Sequence, residues 1–190
     1  AAFGCEGVHD KNNEGLTADT AFRTMSGAGH QHFLRFMREL VCNTSEAHLR
    51  EALFGPWRYN DTQFSMRWAP EDDRRYALRW DNPSGDQARN VRGANRLAID
   101  GLPFHSTMPV SQTKLETIGF TKFTWSWPLW GNFASQDVCS SLLSLQEIQT
   151  AKPDMGKLHP MSIFAVLRSQ RITLGKYRNF TPAAVIAQRS

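Results

Sequence analysis

The pattern of this sequence predicts an α+β fold, in which short helices pack on antiparallel β-sheet. Three observations carry that expectation. Apolar residues recur at helical spacing early in the chain, several later segments alternate apolar and polar residues, and the two kinds of segment do not interleave as regular βαβ units. After a loop-like opening, Phe33, Phe36, Met37, Leu40 and Val41 give His30 to Cys42 the strongest helical stripe, with Arg35, Arg38 and Glu39 outside. Asn43, Thr44 and Ser45 are cap candidates for a second helix, which carries Leu49 and Leu53 and stops at Phe54-Gly55-Pro56. Trp57 to Trp80 is expected to be strand and turn, with Ser65–Trp68 and Arg75–Trp80 paired as a hairpin around 69–73. A polar loop over Asp81 to Asn90 precedes a short helix at Gly93 to Gly101. Strands are expected at Thr107–Val110, Leu115–Phe120, Lys122–Trp127 and Ile163–Arg171. Ser135 is the expected cap of a helix running from Gln136 to Gln149, with Val138, Leu142 and Leu145 facing inward.

A length of 190 residues and 41% apolar content allow a core of the chain's own, and 11% aromatic residues exclude the disordered class. The expected organisation is a poorly defined segment over 1–25 and a single α+β domain over 26–190. The small apolar start, Ala1-Ala2-Phe3, resembles the interior of an element, so the sequence is expected to belong to a longer polypeptide. No apolar run reaches bilayer-spanning length and no signal-peptide pattern opens the chain, which points to a cytoplasmic protein without a membrane partner. Cys5, Cys42 and Cys139 are odd in number and widely spaced, unlike a disulfide framework.

Catalytic and metal chemistry find little support. His30, His32, Cys42 and His48 are the ligand types zinc prefers, but a helix turns His30 and His32 apart and no Cys-x-x-Cys pair closes a site. There is no nucleophile elbow, phosphate loop or dinucleotide fingerprint, and most acids fall in turns. No catalytic residue, metal ligand or cofactor is therefore assigned.

Binding has more support. The net charge is +4, and Met155 to Ser190 contains no acid at all. Arg89, Arg92 and Arg96 are spaced by three and four, so a helix over Asn90 to Gly101 would show an arginine face, with Asn95 an added donor. Arginine meets phosphate through two parallel donors, which suits that face to a nucleic-acid backbone. Arg168, Arg171, Lys176, Tyr177 and Arg178 form a second candidate track, its cations following phosphates and its tyrosine stacking on a base. The competing explanation for both groups is a solvated surface whose arginines pair with nearby acids. Thr124-Trp125-Ser126-Trp127-Pro128-Leu129-Trp130 is expected to serve core or subunit interface.

A run of phrases in fixed order adds a family resemblance. His32-Phe33-Leu34-Arg35, Leu49 through Trp57, Tyr76-Ala77-Leu78-Arg79, Gly93-Ala94-Asn95-Arg96-Leu97-Ala98, Leu115 through Phe120, Phe123 through Trp130 and Gly175 through Pro182 together resemble a subunit of the type I-G (formerly I-U) CRISPR-Cas surveillance complex, Cascade. The likeness extends over most of residues 26 to 185. It implies crRNA, target DNA and other Cas proteins as partners in antiviral defence, with base pairing reading sequence and protein holding backbones. It supplies no functional-residue set. A protein-only scaffold, or a metal-dependent nuclease, are the alternatives from other classes.

Overall fold

Local chemistry places the helices of the N-terminal half. A computed structural model describes residues 4–10, 17–24, 32–70, 87, 89–174 and 177–189. Helix α1 spans Phe33–Asn43 and α2 spans Glu46–Phe54. The Ser45 N–H, which no helical carbonyl can reach, donates to His48 Nδ1 at 3.0 Å and so fixes the start of α2. Gly55 ends the helix at φ +67°, where a Cβ is strained, and its N–H closes on the Glu51 carbonyl at 2.9 Å. Helix α3, Arg92–Gly101, follows the buried Val91.

The fold is α+β, and its residues cluster into two units: 1–23, 103–171 and 181–190 in the first, 24–102 and 172–180 in the second. The sequence division at 25/26 separates the N-terminal segment from the rest, whereas the contacts join that segment to the first unit. The reason is strand pairing that sequence patterning did not reveal. Strands β1 (Gly4–His9) and β2 (Thr17–Asp19), expected as loop, run antiparallel, and the His9 N–H reaches the Gln112 carbonyl at 3.0 Å.

Elsewhere in the first unit, β3 (Thr107–Ser111) pairs antiparallel with β4 (Lys114–Thr117). The single strand expected over Leu115–Phe120 is interrupted by Gly119 at φ +86°, and Phe120–Thr121 forms a separate strand, β5. β6 (Thr124–Trp130) begins later than expected because Lys122, at φ +58°, occupies the tight turn between β5 and β6. β6 pairs with β7 (Ile163–Leu174), and β9 (Ala184–Gln188) lies along the other edge of β7. The last three residues of β7, with β8 (Tyr177–Phe180), belong to the second unit.

The helix expected from Gln136 to Gln149 is two helices, α4 (Gln136–Leu143) and α5 (Gln146–Gln149), before α6 (Met155–Leu158). Ser141 and Ser144 donate their hydroxyls to the carbonyls four residues back, at 2.9 and 2.8 Å, competing with the helical ladder where α4 ends. Leu142 is buried as expected, but Val138 is exposed. Leu142, Ile148, Leu158, Ile163 and Val166 form the core under these helices.

In the second unit Leu40 and Met66 are buried among Phe33, Phe36, Met37, Phe64, Trp68 and Ile99, so α1 turns inward Phe33, Phe36, Met37 and Leu40 of the stripe its spacing announced, while Val41 is exposed. Ser65–Trp68 is not a strand. Phe64 and Arg67 have positive φ, and the Ser65 hydroxyl accepts the Arg67 N–H at 3.0 Å, closing a local turn instead of leaving the backbone for a ladder. The other half of the expected hairpin and most of the Asp81–Asn90 loop lie outside the described residues. No helix among the described residues is long and apolar enough to cross a membrane.

An aromatic cluster in the first unit contains one titratable group. His105 lies 5.1 Å from the Phe22 ring and 5.4 Å from Trp125, and Phe22 also packs edge-on against Phe120 at 5.0 Å. Because a carbonyl only accepts, the His105 contact with the Ile118 oxygen at 2.9 Å makes Nδ1 the protonated nitrogen. Burial holds the imidazole below its ordinary pKa of 6.5, outweighing the opposite pull of that hydrogen bond. The folded state thus favours neutral His105. Its contribution to stability is complete above about pH 6.5 and is lost as pH falls through the lowered folded-state value. Melting temperatures followed from neutral to acid pH should drop less for His105→Gln than for the parent, and equal drops would show that His105 does not control this dependence.

Candidate nucleic-acid interface

The arginines read from the sequence mostly hold the fold. Helix α3 starts at Arg92, so Arg89 precedes it and the arginine face expected over Asn90 to Gly101 loses its first member. Asn90 explains the late start. It bridges to Asp61, and its buried amide donates to the Asp61 and Gln63 carbonyls at 2.9 and 3.0 Å while its oxygen accepts from the Asn95 amide at 2.8 Å. Asn95 is buried in that network, away from solvent.

Arg92 forms an ion pair with Asp61, donates to the Asn43 carbonyl at 3.2 Å and lies 5.7 Å over the Phe64 ring. Arg96 pairs with Asp100 one turn on. Arg168 donates to the Ser126 hydroxyl at 2.9 Å and to the carbonyls of Ile148 and Thr150 at 3.2 and 2.6 Å, tying the end of α5 to the sheet. Burial holds its pKa below the ordinary arginine value, yet the guanidinium remains a cation at neutral pH. Arg171 donates to the Arg23 carbonyl at 3.0 Å. Arg178 is half-buried on β8. Lys176 and the Tyr177 side chain lie outside the described residues, as does His30.

A different set is uncommitted. Arg35 and Arg38 on α1, Arg58 beyond α2, and Arg89 are exposed and have no ion pair or side-chain hydrogen bond among the described residues. All four belong to the second unit. Of these, only Arg89 lies in the arginine series whose spacing pointed to a site. The i, i+3 spacing of Arg35 and Arg38 opposite the apolar stripe was available as a signal; Arg58 stands in no periodic segment and carried none.

Arg58 and Arg92 also line an open cleft of about 490 Å³ with His48, Glu51, Asn60, Asp61, Thr62, Gln63 and Asn90. Its two acids are engaged, Asp61 by Arg92 and Glu51 by the Arg58 N–H at 2.9 Å. Among the described residues no group of three or more His, Cys, Asp or Glu side chains is placed to hold a metal ion. Cys42 is exposed and His48 caps α2.

No family model, curated protein or solved structure matches this chain.

Proposed function

We propose that the chain is a non-catalytic subunit of a type I-G CRISPR-Cas surveillance complex, acting in cytoplasmic antiviral defence, that binds the backbone of crRNA or target DNA and contacts neighbouring Cas subunits. The resemblance in the ordered phrases motivates the assignment. The observation that carries nucleic-acid binding is the set of four exposed arginines of one unit that have no ion pair or side-chain hydrogen bond among the described residues, whereas Arg92, Arg96 and Arg168 are engaged by other groups of the protein. Uncommitted guanidiniums are free to displace the counterions of a polyanion.

A protein-only scaffold is the second reading, favoured by the exposure of Leu53, Phe54 and Trp57 around the end of α2. Titrating labelled single-stranded RNA and DNA with the full chain from about 50 mM salt upward distinguishes the two. Nucleic-acid binding predicts a log–log salt slope near −3, since each of four single-strand phosphate contacts contributes roughly 0.7. Absence of binding at the lowest salt, with assembly onto Cas partners retained, would establish the scaffold instead.

A further inference from the structure

Beyond the end of α2 an aromatic plate and a free cation are neighbours in sequence, and we infer that Trp57 and Arg58 clamp one nucleotide of a single-stranded nucleic acid. The base stacks on the indole and a phosphate meets the guanidinium. This inference rests on the nucleic-acid reading above and specifies where, and in what form, the strand is held.

The indole is fixed before any ligand arrives. Its Nε1–H donates to the Ala52 carbonyl at 3.0 Å, and the Tyr59 ring stands edge-on at 6.0 Å, while 49% of Trp57 remains exposed. At protein interfaces the indole N–H is the usual polar handle; here it is already engaged, and what remains to recognise is an aromatic surface. A base supplies the complementary surface, and stacking tolerates any base, as a backbone-holding subunit requires.

Arg58 adds the charge. Its backbone is held by the N–H to Glu51, its side chain is exposed and lines the polar cleft, and no acid among the described residues pairs with it. Glu51 and Asp61 are the acids nearest a phosphate placed there. Each already accepts a hydrogen bond within the protein, and Arg92 offsets the Asp61 charge. Asn60, Thr62 and Gln63 present amide and hydroxyl groups along the same cleft, suited to a sugar hydroxyl or a base edge.

The test compares the full-length parent with Trp57→Leu, Trp57→Phe and Arg58→Ala, using an oligouridylate strand and an RNA duplex of equal length. Trp57→Leu should weaken single-strand binding about tenfold while Trp57→Phe keeps most of it, and neither should change duplex binding, whose base faces are hidden. Arg58→Ala should flatten the salt slope by roughly 0.7 and leave the melting temperature unchanged. If Trp57→Leu lowers stability, Arg58→Ala decides alone, because its side chain has no hydrogen bond or ion pair among the described residues. If the parent binds and both Trp57→Leu and Arg58→Ala bind equally well, the clamp is wrong, nucleic-acid binding stands, and this patch fits a protein partner. If the parent binds no strand at low salt, clamp and functional reading fall together.

Discussion

Gly93→Ala is expected to disrupt the second unit. Helices α2 and α3 approach so closely there that a Cβ on residue 93 would lie 2.0 Å from the His48 carbonyl oxygen, 2.5 Å from its carbon and 3.0 Å from the Ala52 Cβ. The obstacles are backbone atoms of a capped helix, which have no rotamer to adopt, so relief requires the helices to separate and expose Val91 and the Asn90 network. A cost of about 3 kcal/mol or more follows, lowering the melting temperature on the order of 10 °C. Gly101→Ala is the matched control. Nothing lies within 4 Å of its Cβ position at the end of the same helix, so the gain in helix propensity, up to about 1 kcal/mol, should raise the melting temperature. A Gly93→Ala protein that melts with the parent would contradict the packing described.

Arg92→Ala is expected to cost about 2–3 kcal/mol, because it removes a partner that several groups share. The Arg92 and Asp61 side chains are only 19% and 13% exposed, so removing the guanidinium strands a largely desolvated carboxylate. It also leaves the Asn43 carbonyl and the Phe64 ring without their cation. Arg92→Lys should recover only part of the loss, since an ammonium cannot reproduce the planar arrangement that reaches Asp61 through Nε and Asn43 through Nη1. Arg96→Ala should cost about 0.5 kcal/mol or less, as its partner Asp100 is 57% exposed. Chemical denaturation of the three variants measures this ordering, and equal losses for Arg92→Ala and Arg96→Ala would refute it.

These two cases show where the sequence was informative. The stripe in α1, the stop at Gly55-Pro56 and the Ser135 cap of α4 are local features, decided by residues within a turn or two of each other, and they were legible. The β1–β2 pairing, the splitting of the expected Gln136–Gln149 helix and the irregular course through Phe64–Arg67 were not. The first joins short strands that lie close in sequence but carry no alternating apolar stripe, and its tie to a distant segment is the His9 N–H to the Gln112 carbonyl; the others depend on side-chain hydrogen bonds that override periodicity. The site followed the same division. Spacing identified Arg92 and Arg96 as helical neighbours, but the one acid that engages Arg92 among the described residues, Asp61, and the carbonyls that engage Arg168 come from segments far away in the chain. Charge patterning finds cations without telling which of them the fold uses.

The central claim is that exposed arginines without partners among the described residues hold nucleic acid while the buried ones hold the protein. It is tested most directly by the salt dependence of single-stranded RNA binding for the full chain carrying Arg35→Ala, Arg38→Ala and Arg89→Ala together. The account predicts that the slope loses about two units, roughly 0.7 for each phosphate contact removed, at an unchanged melting temperature. A triple variant that keeps the parent's affinity and slope would contradict it.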